Sequence, residues 1–184
     1  MKETVDDLSK DALHALVGKA KQDEPDAQSR LISLLYTKIY RYIYYRVNQK
    51  EDAEDLTNDV FVRMLESLES QSGSFLAWIY RIAKNRVVDY YRKQDVRSDT
   101  SEVGETIEYF ESDGEPIEKM FMREELQRGI RKLTEDQQEV IILRFIEGYE
   151  ANEVAEQLDK SPTAVRQLQY RALNQLRKMI PKED

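Results

Sequence analysis

Between Glu150 and Arg177 the chain sets Thr163, Arg166, Gln167, Tyr170 and Asn174 at helical spacing. The opposite face of the same helix carries Val165, Leu168, Ala172 and Leu176. Arg and Gln bond base edges in a major groove, and Thr serves bases or phosphates. Upstream, Ala151 to Leu158 reads as a short helix with Val154, Ala155 and Leu158 inward, followed by a tight turn at Asp159 and Lys160. Ser161 fits an N-cap, and Pro162 fits the first helical position, where a missing N–H costs nothing. Lys160, Arg166, Arg171, Arg177 and Lys178 have no acid among them, so the local field is positive. This is a helix-turn-helix pattern; a plain helical hairpin with a solvated basic face has the same spacing.

A second constellation follows Ser74, itself a fitting N-cap. Phe75, Ile79, Ile82 and Ala83 read as core, whereas Trp78, Arg81, Asn85 and Arg92 recur at spacings that share a stripe. Lys84, Arg86 and Lys93 add to a positive segment in which Asp89 is the one acid. An aromatic interleaved with bases suits single-stranded DNA, rings stacking on bases while cations meet phosphates. A core role for Trp78 fits equally. A third cluster, Glu51, Asp52, Glu54, Asp55 and Asp59, lies on a helix whose apolar stripe is Leu56, Val60, Phe61, Met64, Leu65 and Leu68. It suits a basic protein partner with fast, salt-sensitive association; a solvated helix face has the same composition.

The elements that must position these groups are helical throughout. Charged residues make up 35% of the 184 residues, Gly and Pro are scarce, and the net charge is −8, which alone argues against free DNA binding. The absence of cysteine excludes disulfides, Cys-ligated zinc and thiol catalysis. No apolar run approaches the ~20 residues that span a bilayer. Met1 to Lys10 is polar and acidic, unlike a signal peptide, so a cytoplasmic location without membrane insertion is expected. Pro25 opens a long helix with Leu31, Leu34, Leu35, Ile39, Tyr42, Ile43 and Val47 at helical intervals. Residues 95–116 hold Gly104, Gly114, Pro116 and many acids, the composition of a flexible acidic linker. Beyond it, Thr134 fits the cap of a helix that Gly148 ends. The expected fold is all-α, with two small helical domains: a lead-in 1–24, a first domain 25–94, the linker 95–116 and a second domain 117–184.

Together the motifs resemble the extracytoplasmic-function group of the sigma-70 family. In the second lobe they are LTEDQQEV at Leu133 to Val140, LRFIEG at Leu143 to Gly148, Glu153 to Ala155, and RALNQLR at Arg171 to Arg177. In the first they are EDAEDL at Glu51 to Leu56, Val60 with Phe61, Phe75, WIYRIAKN at Trp78 to Asn85, and DYYR at Asp89 to Arg92. The resemblance covers about Pro25 to Lys178. It departs at Asp159, where Gly is usual, at Glu150, where a Ser or Thr cap is usual, and at Ala164, where Thr is common.

The resemblance implies a factor that binds core RNA polymerase and directs promoter recognition, melting and initiation, with no catalytic residues, metal or cofactor of its own. Glu51, Asp52, Glu54, Asp55 and Asp59 would dock on polymerase. Lys160, Ser161, Thr163, Arg166, Gln167, Tyr170 and Arg171 would read the duplex −35 element. Ser72 and Ser74 in the loop Glu69 to Ser74, with Trp78, Arg81, Lys84, Asn85 and Arg92, would hold the melted −10 element and a flipped base. An anti-sigma factor is a further expected partner. Two rivals differ in class: a helix-turn-helix regulator acting alone explains only the second lobe, and a helical adaptor would need no DNA. An enzyme finds no support, since no nucleophile–base pair or phosphate loop is visible, and lone His14 has no companion ligand.

Overall fold

Pro25 opens the helix around which the first lobe is built. The computed structural model describes residues 5–98 and 117–179. Within them the order is a 3-10 turn Val5–Asp7, α1 Lys10–Ala20, α2 Pro25–Tyr44, α3 Lys50–Ser67, α4 Phe75–Ser98, α5 Ile117–Arg131, α6 Glu135–Ile141, a π-helical turn Ile142–Ile146, α7 Ala151–Leu158 and α8 Pro162–Met179. No strand occurs among the described residues, and none of their helices is long and apolar enough to cross a membrane.

The first lobe packs α1, α2, α3 and α4 together. Leu31, Leu35, Ile39 and Ile43 recur every four residues and are fully buried on one side of α2. Val60 and Met64 of α3 and Ile79 and Ala83 of α4 meet them. Each such large aliphatic side chain contributes roughly 1.5–3 kcal/mol when removed from water. Ser9 starts α1 by accepting from the Ala12 N–H at 3.1 Å, and Ser74 accepts from the Ala77 N–H at 3.3 Å as α4 begins. Gly73, at φ +74°, makes the turn into α4 in a conformation that side-chain-bearing residues avoid. α4 continues to Ser98, beyond the start expected for the linker, and the rest of the linker, 99–116, lies outside the described residues.

In the second lobe α8 packs on α6 and α7. Gln137 reaches back to accept from the Thr134 N–H at 3.1 Å, and Glu153 does the same for Glu150 at 2.7 Å. These capping boxes satisfy donors that a helix start leaves orphaned, and Glu150 thereby serves in place of a hydroxyl cap. Where one continuous helix was expected before Gly148, α6 widens at Ile142 into a π turn, closed by the Glu147 N–H on the Ile142 carbonyl at 2.9 Å. Ile142 and Leu143 stay inside while Phe145 faces outward. Gly148, at φ +81°, redirects the chain into α7.

The two lobes are docked on each other. Their buried apolar residues form one continuous cluster, α4 packing on α7 and α2 on the π turn. Tyr80 of α4 links them, edge-on to Tyr42 at 5.2 Å and to Tyr149 at 6.1 Å. Gln127 of α5 donates to the carbonyls of Tyr44 and Val47, at 2.6 and 3.0 Å, so a second-lobe side chain satisfies the orphaned end of α2.

Candidate nucleic-acid interface

The helix-turn-helix is formed by α7 and α8. Val154, Ala155, Val165, Ala172 and Leu176 are buried between them and α6. Asp159 takes the left-handed conformation, φ 53° and ψ 47°, that the turn needs. Asp tolerates this region better than most residues, its short polar side chain bonding locally. Ser161 caps α8 by accepting from the Ala164 N–H at 3.1 Å. Thr163, Arg166, Gln167, Tyr170 and Arg171 are all exposed, and Tyr170 is 70% exposed. A tyrosine this bare on a stable helix contributes little to packing and leaves an aromatic face for a ligand. Lys160 differs from the rest: its ammonium pairs with Asp136 of α6 at 3.2 Å, which ties the turn to the lobe beneath.

On α4 the stripe divides. Arg81, Asn85 and Arg92 are exposed, as are Ser72 and Ser74 in the loop before it. Trp78 is half-buried, its ring tilted against Phe75 with centroids 5.8 Å apart. It therefore joins the core on one side and meets solvent on the other. Lys84 points across the lobe boundary, its ammonium 3.0 Å from Glu139 and 3.4 Å from Glu135. Burial alone would lower the Lys84 pKa, but Glu139 and Glu135 outweigh it and raise it above the lysine norm.

The acidic face of α3 is also mixed. Glu51 and Asp55 are exposed. Asp52 accepts from the Tyr90 hydroxyl at 2.6 Å, Asp59 pairs with Arg86 at 3.2 Å, and Glu54 lies 3.7 Å from Lys50. Beside this face Tyr36, Tyr40 and Tyr44 form a stacked ladder along α2, with Tyr36 also stacked on Phe61. Burial first, then the neighbouring Tyr44 and Glu54, pushes the Tyr40 hydroxyl up to about 12.

The lobe boundary holds charged residues that the sequence does not single out. Glu147 has no exposed side-chain surface and pairs with Arg41 through both oxygens, each at 3.0 Å. It also lies 3.4 Å from Lys38, whose ammonium meets Asp6 of the N-terminal turn at 2.8 Å and the face of Tyr149 at 4.5 Å. Burial would depress Lys38, yet Tyr149, Asp6 and Glu147 together raise it. The Arg41 pKa is raised, chiefly by its hydrogen bonds to Glu147. Glu139, 2% exposed, accepts from Tyr42 at 3.0 Å, and burial holds the Tyr42 hydroxyl well above the usual tyrosine range. Arg46, equally buried, reaches Glu135 at 3.6 Å. The one signal in the sequence is that Lys38 lies three residues from Leu35 and four from Tyr42, on the apolar stripe itself.

Two cavities open at this boundary. One of about 570 Å³ lies between α1, the loop before α4, and α7, and its walls include Leu13, Val17, Ser72, Phe75, Tyr149 and Gln157. α1 also braces that loop, Lys21 donating to the Gln71 carbonyl. The other, about 400 Å³, sets Arg46, Val88 and Arg92 against Glu135 and Gln138.

Comparison with known proteins gives two family matches, in chain order. Sigma-70 region 2 matches residues 31–97, and Sigma-70, region 4 matches residues 129–178. The chain is 35% identical over 171 residues to the ECF RNA polymerase sigma factor BldN of Streptomyces coelicolor, covering 90% of this chain and 65% of BldN. It is 32% identical over 159 residues to the ECF RNA polymerase sigma factor SigX of Bacillus subtilis, covering 80% of each. The chain thus spans slightly less than two thirds of BldN and most of SigX. In fold it is similar to CnrH, solved in complex with the cytosolic domain of CnrY, at a TM-score of 0.68 and 22% identity over 88% of this chain and 92% of that one.

Proposed function

Since the chain belongs to the ECF RNA polymerase sigma factors of the sigma-70 family, we propose that it binds core RNA polymerase and directs it to promoters, where it recognises duplex DNA and helps melt it. The observation that carries this reading is the pairing, in one chain, of a region 2 and a region 4 whose recognition helix α8 presents Thr163, Arg166, Gln167, Tyr170 and Arg171 to solvent.

The roles divide by chemistry. Arg166 and Gln167 read base edges at the −35 element, while Thr163, Ser161 and Arg171 hold its backbone. Lys160 contributes after release from Asp136. Trp78, Arg81, Asn85 and Arg92, with Lys84 and the Ser72–Ser74 loop, hold the unpaired −10 strand, and capture of a flipped base offsets part of the cost of unstacking it. Glu51 and Asp55 lead the contact with a basic surface of polymerase, joined by Asp52, Glu54 and Asp59. The polymerase performs the chemistry and the factor is a non-catalytic, cytoplasmic specificity subunit. An anti-sigma factor is a fitting regulator, as the anti-sigma factor NepR is seen bound to the sigma factor RpoE from Bartonella quintana.

The test is reconstitution. The purified chain, mixed with bacterial core polymerase and a genomic fragment library, should yield transcripts that depend on its presence. Failure to bind core polymerase at low and moderate salt would overturn the reading. Unaided operator binding in its place would favour a stand-alone regulator.

A further inference from the structure

One flank of α1 forms a wall of the cavity of about 570 Å³ that it shares with the loop before α4 and with α7. Lys10, Leu13, Val17 and Lys21 follow one another along that flank at three- and four-residue steps, so they share a face. Leu13, Val17 and Phe75 make the wall apolar, and Val17 and Phe75 are buried. The volume lies within the ~300–1,000 Å³ of small-molecule sites.

Gly18, on the same wall, is not explained by packing. It sits inside α1, where glycine forms helix less readily than any residue but proline. Its backbone is helical, so no left-handed turn calls for it. A Cβ at this position would meet no atom within 4 Å, so no close neighbour excludes one. What a side chain here would take is space in the cavity.

The side of the cavity formed by the second lobe carries hydrogen-bonding groups left unused. Gln157 has its side-chain oxygen buried without a partner. The Tyr149 hydroxyl lies beside that of Tyr80, and neither bonds to any further group. Two hydroxyls that have only each other leave one O–H without an acceptor. A buried polar group without a partner costs free energy, which a ligand recovers by supplying one. Charge is balanced: Lys10 and Lys21 come from α1, Glu153 and Glu156 from α7. Neither an anion nor a cation gains net attraction there.

We propose that this cavity is a binding site for a small neutral molecule with an apolar ring and a carboxamide or lactam head. The ring lies against Leu13, Val17 and Phe75, in the space that Gly18 leaves open. The head accepts from the Tyr149 hydroxyl and donates to the Gln157 oxygen. A carboxylate lacks the donor, and a hydrocarbon lacks both groups. The site gives α1, which the proposed function leaves without a role, a binding role of its own.

The experiment titrates the full chain with benzamide, followed by ligand-observed NMR, beside toluene and benzoate. Benzamide should bind saturably at one site, with toluene and benzoate about tenfold weaker for want of the hydrogen bonds they cannot make. Gly18→Leu puts the side chain of a strong helix former into the cavity. Its helix content by circular dichroism should be kept, its melting temperature should not fall, and benzamide binding should be lost. Gln157→Leu removes the acceptor without touching α1 and should bring benzamide down to the affinity of toluene. Absence of saturable benzamide binding by the wild-type chain would overturn the proposal, as would a folded Gly18→Leu chain that binds as the wild type does. Equal affinity for the three probes would overturn the assignment of the head. Should Gly18→Leu fail to fold, Gln157→Leu decides, and unchanged benzamide affinity in that variant overturns the proposal.

Discussion

Glu147 of the second lobe grips Arg41 of the first through both carboxylate oxygens, each 3.0 Å from a guanidinium nitrogen, with no side-chain surface of Glu147 left exposed. A fork-to-fork pair of this kind fixes orientation as well as distance. It ties α2 to the end of the π turn and makes the relative placement of the lobes specific.

Glu139 is the most exacting member of the boundary. Glu139→Ala would leave the Tyr42 hydroxyl without its acceptor, Lys84 with Glu135 alone, and Arg46 in a buried site with less opposing charge. Removing one partner from a buried ionic cluster costs about 3–5 kcal/mol. Denaturant unfolding, expected to be a single transition in the wild type, should separate into two, one for each lobe.

The boundary also carries a pH signature. Lys38 and Lys84 have pKa values raised above 10.5 in the fold, and that of Tyr42 is raised above 10.0. A group raised on folding contributes stability that is present in full below its unfolded value and lost as pH rises through the folded one. Docking should therefore hold through neutral pH and weaken only above about pH 10. Scattering combined with tyrosinate absorbance across an alkaline titration would show it; separation between pH 7 and 9 would contradict it.

Arg166→Ala should weaken binding of holoenzyme to a −35 duplex by about 1–3 kcal/mol, the worth of a bidentate base contact, and relax preference at one base pair. Unchanged affinity in a gel-shift titration over −35 variants would remove Arg166 from the reading face.

Trp78→Ala should reduce promoter opening more than initial binding, because the exposed side of the ring is available to stack on an unpaired base. Permanganate footprinting reads the melted thymines directly. Normal reactivity would assign Trp78 to packing on Phe75 alone.

Asp159 tests the turn. Asp159→Gly should be neutral or stabilising, since glycine enters the left-handed region freely. Asp159→Val should destabilise the turn, because it puts a β-branched side chain that cannot hydrogen-bond locally into the left-handed region, seen as a lower melting temperature.

Much of the local architecture is legible in the chain because its causes are local. Thr134, Ser161 and Ser74 mark helix starts through hydrogen bonds made within a few residues, and Pro25 does so through its fixed φ at the first helical position. Apolar spacing identifies the buried faces of α2, α3 and α8 for the same reason: side chains three and four apart share a face whatever the rest of the fold does. The exposed reading face of α8 follows from the same periodicity. The π turn at Ile142–Ile146 escapes such reasoning, since its sequence, ILRFI, continues an ordinary helical pattern.

The sequence by itself determined the helices, their caps, the two lobes and the family to which they belong, because each depends on short-range geometry or on motifs in fixed order. Only the tertiary structure decided which charges meet. Lys38 and Glu147 are 109 positions apart, and a lone charge on an apolar stripe does not name its partner. Which carboxylate satisfies it depends on how α2, α4 and the π turn pack, since burial of an ion is tolerated only where an opposite charge arrives with the right hydrogen bonds. The same packing turned Lys84 from one more base on a DNA-facing stripe into a residue held by Glu139 and Glu135.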